Sequence, residues 1–149
     1  MWLTLAAALT AASAAVIAVA RRRYLLVTVV GHSMAPTLHN GQRLLARRTQ
    51  RVRRADIIAF LPPPSHRHDA SLVYRVKRVI AIAGDPTPVW LGADPRVPAG
   101  KLVVLGDNPD SEDSRHYGYV DQAAIVAVIT DRSTDHCAHR SSDRDGSTR

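Results

Sequence analysis

From residue 2 to residue 20 the chain carries no charge, and Ala, Leu, Val and Ile occupy every side of a helical wheel. The pattern predicts one helix about 28 Å long, close to the hydrocarbon core of a bilayer at about 30 Å. A transmembrane anchor over residues 2–20 is the first reading. A cleaved secretory peptide is the rival, because Ala18-Val19-Ala20 has the small-x-small form of a cleavage site. Such peptides begin with basic residues, however, and none precedes Arg21. A buried soluble helix is a third option, weakened by the absence of a polar face. Arg21-Arg22-Arg23 after the span would keep the body of the protein cytoplasmic under the positive-inside rule.

Beyond Arg23 the period shortens to that of strands. Apolar and β-branched runs at 24–30, 43–47, 56–61, 72–83, 101–105 and 123–130 are each bounded by Gly, Pro, Asn or Asp, and 89–91 adds a small strand. Within 72–83, Lys77 falls on the same face as Val79 and Ala81, two apolar neighbours able to keep water from its amine. Residues 49–54 read as a basic loop. The polar stretch 65–70, with His66 and His68, reads as an exposed hairpin tip. A His-x-His pair without a carboxylate or cysteine cluster makes a poor metal site, so no metal and no cofactor are expected. Outside the N-terminal span no stretch has a convincing helical period. The prediction is an all-β domain over 24–130, followed by a polar, disordered tail at 131–149.

Charge sharpens this picture. The net charge is +7 over 149 residues, yet residues 1–55 hold nine Arg and no acid, while 56–149 are close to balance. The basic excess therefore adjoins the most apolar segment, which suits anionic lipid headgroups at least as well as nucleic acid. The single Cys137 excludes an intrachain disulfide. Arginine outnumbers lysine 18 to 2, so Lys77 and Lys101 stand out: a desolvated lysine can lose its proton, whereas arginine cannot.

Candidate chemistry starts at Gly31-His32-Ser33-Met34-Ala35-Pro36-Thr37-Leu38. A strand that ends in Gly and presents Ser before Met and Pro is a sharp turn, able to hold a hydroxyl outside the ladder beside unpaired N–H groups. Lys77 is a candidate base, provided that burial brings its amine down from a reference pKa near 10.4.

Four stretches in order resemble the boxes of the type I signal peptidases, membrane-bound serine endopeptidases with a Ser/Lys dyad. They are Gly-x-Ser-Met-x-Pro-Thr-Leu, Asp-Ile-Ile-Ala-Phe, Val-Lys-Arg-Val-Ile-Ala-Ile-Ala-Gly-Asp, and Gly-Asp-Asn…Ser-x-Asp-Ser-Arg. The resemblance covers residues 24–130 and implies Ser33 as nucleophile and Lys77 as general base. It further implies that Ser111 orients the lysine amine, that Asp113 pairs with Arg115, and that Asp107 pairs with Arg78. The implied fold is a β-fold shared with LexA-type repressors, here in minimal form. The implied partners are precursor proteins with Ala-x-Ala-like sites and the lipid bilayer, with no nucleic acid. Signal or leader peptides would be removed by a catalytic domain on the extracytoplasmic side, against the indication of Arg21–Arg23.

Three positions depart from the pattern. Gly31 replaces a residue that in some members lends a hydroxyl to the oxyanion hole. Ala55 stands where Gly usually precedes the Asp. Only Pro109 and Asp110 separate Asn108 from Ser111, where three residues are usual. Alternatives remain: a maturation protease dedicated to one precursor, or a non-enzymatic, membrane-tethered basic β-module. A Ser-His-Asp triad would have to use His32, adjacent to Ser33, or His116, which has no motif around it. A self-cleaving repressor would need a DNA-binding headpiece where this chain has an apolar run.

Overall fold

A computed structural model describes residues 2–66, 74–92 and 94–130. His68 and the start of the strand expected at 72 lie outside the described residues, as does the tail at 131–149. Helix α1 (Trp2–Arg23) contains the predicted helix and extends it through the three arginines. Among the described residues no helix is long and apolar enough to cross a membrane. The expected span over 2–20 therefore rests on the sequence pattern alone.

Seven antiparallel strands follow: β1 (Tyr24–Thr28), β2 (Arg43–Arg47), β3 (Ile57–Phe60), β4 (Arg75–Ile82), β5 (Lys101–Leu105), β6 (Val120–Asp121) and β7 (Ile125–Ile129). They form one sheet in the order β1-β2-β7-β3-β4-β5-β6. The last strand thus lies in the middle of the sheet, with β2 on one side and β3 on the other.

Burial follows the side-chain alternation of strands. Ile57 and Ala59 enter a core with Val27, Met34, Leu38, Leu44, Ala127 and Ile129. Their neighbours Ile58 and Phe60 enter a second core with Val79, Leu102, Val104, Val120 and Ile125. With both faces covered, β3 needs apolar residues at every position, which explains its uninterrupted Ile-Ile-Ala-Phe run. A smaller cluster, Ala81, Val97 and Val103, closes the far side of β4 and β5.

Three predictions fail locally. Val89–Leu91 is a 3-10 turn rather than a strand. Ser114–Tyr117 is a short helix, α2, where no helix was expected, with Asp113 capping its first turn. His66 is no part of a solvated tip. It ends a 3-10 turn at Pro64–His66, and its ring nitrogen Nδ1 lies 2.9 Å from Glu112 Oε1.

Candidate active site

The turn after β1 is fixed from beneath. Met34 and Leu38 point into the first core, almost fully buried, and the Leu38 N–H donates to the Met34 carbonyl at 2.9 Å. Ser33, one residue before the buried Met34, stays partly exposed. Gly31 has φ +87, a left-handed conformation that a side chain would strain, and its N–H donates to Asn40 Oδ1. Among the described residues no hydrogen bond uses the Ser33 N–H.

Lys77 sits mid-strand in β4, opposite Ile58 of β3, and is only 2 % exposed. Burial pushes its pKa down to about 8; Asp113 and Glu112 oppose that shift, and Arg75 and Arg115 add to it. In the β4–β5 ladder Arg78 pairs with Leu105 and Val79 with Val104. Carried one step past its last pair, that register sets Lys77 opposite Gly106.

Gly106 is where the segments converge. A Cβ placed on it would clash with Ser111 Oγ and with the Ser33 carbonyl oxygen, so only glycine fits between that carbonyl and the Ser111 side chain. The Asn108 N–H donates to that same Ser33 carbonyl, and Asn108 Nδ2 donates to the His32 carbonyl. Asp107 receives a two-pronged bond from Arg78, at 2.9 and 2.7 Å, and a further one from the Thr37 side chain. Burial alone would raise the Asp107 pKa; those donors outweigh it and hold the carboxyl below its usual range.

Asp113 is fully buried and organises the rest of the loop. Its carboxylate accepts from Ser111 Oγ at 2.6 Å, from the Gly106 N–H at 2.9 Å, and from Arg115 through Nε, Nη2 and the backbone N–H. Burial would raise its pKa; the Arg115, Ser111 and Gly106 donors reverse that and keep it charged far below the carboxylate range. Because the Ser111 hydroxyl gives its hydrogen to Asp113, its oxygen is left as an acceptor on the Gly106 side.

The fold therefore brings Ser111 and the Ser33 backbone together beside Gly106, and pairs Asp113 with Arg115 and Asp107 with Arg78. Ser33 Oγ and Lys77 Nζ are not hydrogen-bonded to each other in this structure. Neither histidine weighed for a triad is placed for one. His32 is exposed, and His116 Nδ1 accepts from the Asp113 N–H as part of the α2 cap. Sequence reasoning did not single out Glu112, whose carboxylate bridges Arg75 and His66, or Tyr117, whose buried hydroxyl has no partner among the described residues. It also passed over Thr37 and Gly106, although both lie inside the quoted boxes.

Comparison with known proteins identifies a family. The family model described as "Signal peptidase, peptidase S26" matches residues 2–89 and 86–132. The protein "Signal peptidase I V" of Bacillus subtilis (strain 168) is 30% identical over 137 residues, covering 69% of this chain and 82% of that protein. A crystal structure of a signal peptidase I from Enterococcus faecalis V583 aligns at 26% identity and a TM-score of 0.41, over 54% of this chain and 97% of that one. With most of its length matched by the family model, the chain belongs to the signal peptidase family.

Proposed function

We propose that the protein is a serine endopeptidase that removes signal or leader peptides from precursor proteins, with Ser33 as nucleophile and Lys77 as general base. Family membership supports the peptide-removing activity in general. The dyad rests on one observation above all: a strand lysine 2 % exposed, its pKa lowered to about 8, level with the glycine that the Ser33 carbonyl touches. A buried cation usually has a full ion-pair partner. Here the carboxylate that acts most strongly on the amine, Asp113, is paired with Arg115, so Lys77 has no full partner of its own.

In this mechanism the Ser33 Oγ–H proton passes to the Lys77 amine as Oγ bonds to the scissile carbonyl carbon. The Ser33 N–H receives the developing oxyanion, a contribution worth about 10²–10³ in rate. As the C–N bond breaks, the Lys77 ammonium returns its proton to the leaving amine. A water then gives its proton to Lys77 while attacking the acyl-Ser33 ester, and the ammonium reprotonates Oγ. Ser111, an acceptor on the Gly106 side, orients the amine, and the Asp113–Arg115 pair holds Ser111. The open contact between Oγ and Nζ fits a substrate-free site, where catalytic hydrogen bonds are commonly long.

Residues 2–20 serve as a membrane anchor, and the catalytic domain faces the outer side, where translocated precursors emerge. A second observation favours membrane contact: Tyr24, Leu26 and Leu45 are exposed, and Leu26 pairs directly with Leu45, giving β1 and β2 an apolar outer face beside Arg21–Arg23. The preferred substrates carry Ala-x-Ala-like sites. The test is processing of such a precursor by the wild type and by Ser33→Ala, Lys77→Ala and Lys77→Arg. Each substitution is expected to cost about 10³-fold or more; wild-type processing by any of them overturns the dyad. Protease digestion of intact cells tests the orientation, and a protected catalytic domain overturns it.

A further inference from the structure

Lys77 has a charged neighbour that the dyad reading does not use. Arg75 and Lys77 are two residues apart on β4 and so share a face of the strand. Arg75 Nη1 lies 2.8 Å from Glu112 Oε2, and His66 Nδ1 lies 2.9 Å from Glu112 Oε1. Arg75 Nη2 also reaches the His66 carbonyl at 3.4 Å. Glu112 itself stands between Ser111 and Asp113. The far end of this chain of contacts is anchored: the His66 ring packs on Tyr117 at 5.4 Å, and Tyr117 on Phe60 at 6.5 Å. All three polar side chains are at most 30% exposed, so solvent screens them only in part.

The charges around the lysine come from few elements. β3 offers only Ile57, Ile58, Ala59 and Phe60. The loop after β5 and the start of α2 contribute Asp107, Glu112, Asp113 and Arg115, and β4 contributes Arg75 and Arg78. Arg78 is locked onto Asp107, and Asp113 onto Arg115. Asp113 acts most strongly on the amine, and after it come Arg75 and Glu112, opposite charges joined to each other and, through Glu112, to His66.

We propose that the Arg75–Glu112–His66 chain is a positioning device for the Lys77 amine, two opposed charges whose balance sets how readily that amine gives up its proton. The inference rests on Lys77 acting as the base. Glu112 favours the ammonium and Arg75 disfavours it, the directions in which each acts on the Lys77 pKa. His66 holds one oxygen of the carboxylate while Arg75 holds the other. None of the three residues touches the reacting atoms.

The two lysines of the chain make the test direct. Protein labelled with 13C at lysine Cε gives two signals, and Lys101→Arg assigns them. Glu112→Gln is expected to lower the Lys77 titration midpoint and Arg75→Gln to raise it, each by about half a pH unit or more. Arg75→Lys is expected to restore the wild-type value. The acid limb of kcat/KM for precursor cleavage should move by the same amounts in the same directions. General loosening of the site would rehydrate the lysine and raise its midpoint in both variants, so the opposite signs separate charge from structure. Midpoints that stay together in both variants, or rise together, overturn the positioning role while leaving the dyad intact. Midpoints that move while the rate limb stays fixed overturn Lys77 as the base, and the positioning role falls with it.

Discussion

The Asn108 amide donates to the Ser33 carbonyl across 3.1 Å, tying the turn that bears Ser33 to the loop that follows β5. The neighbouring Gly106 makes that tie possible by presenting no side chain. Gly106→Ala would place a methyl that clashes with the same carbonyl and with Ser111 Oγ. Backbone has to move, since neither contact is the free end of a flexible chain. We expect a stability loss of about 1–3 kcal/mol. Because a displacement of about 1 Å can cost 10²-fold in rate, kcat/KM should fall by about that factor. Thermal unfolding and precursor cleavage on the same preparation check both; a fully active alanine variant would show that the three segments can spread without consequence.

Ala55 carries a different strain. Its φ of +70 is the one left-handed conformation at a non-glycine residue among those described, and its carbonyl accepts from Arg78 Nη1. An L-residue pays about 1–2 kcal/mol for that conformation, and glycine returns part of it as unfolded-chain entropy. Ala55→Gly is therefore expected to stabilise by about 0.5–1 kcal/mol, a rise of a few degrees in Tm. A lower Tm would mean that the left-handed turn is not retained in solution.

The rate should follow the lysine. With the Lys77 pKa at about 8, kcat/KM is expected to rise with pH through that region and level off above it. Stability should rise over the same range and beyond. Between about pH 8 and the unfolded value near 10.4 the unfolded chain holds the proton that the folded one has released, so ΔG of unfolding grows with pH. Kinetics and urea unfolding across pH 6–10 measure the two independently. A flat rate profile would exclude a lysine base.

At the acid end the sign is the same, in a second pH window. Asp113 is charged in the fold far below the pH at which the unfolded carboxyl, near 3.9, takes up a proton. Its contribution is present above that value and is lost as the pH falls below it and approaches the folded-state pKa. Asp113→Asn should therefore unfold more easily at neutral pH, by about 2–4 kcal/mol, and show a shallower decline between pH 4 and 2 than the wild type. Parallel declines would assign acid lability to other carboxylates.

Much of this architecture is legible in the residues because strands with one apolar face, or two, leave a regular trace. The runs that became β2 and β5 have their expected bounds, and Lys77 shares burial with Val79 and Ala81 as alternation requires. What escaped is short or remote. α2 has four residues, too few for a 3.6 period to register, although its Asp113 cap is visible afterwards. β6 has two. Val89-Trp90-Leu91 has strand composition but stands between Pro88 and Gly92, and no ladder partner meets it. The His66–Glu112 contact joins residues 46 apart, and no local pattern encodes such a meeting.

The placement of β7 has a consequence for when the protein acquires its site. Within the sheet, the strands around the nucleophile turn (β1 and β2) and those around the lysine (β3 to β6) have no shared ladder; Ile125–Ile129 supplies the join. A ribosome makes that segment after every other strand. Until it emerges, the two part-sheets lack their shared ladder and expose the strand edges that it will cover. The ladder that joins the Ser33 half of the sheet to the Lys77 half is therefore completed late in synthesis, by one five-residue strand.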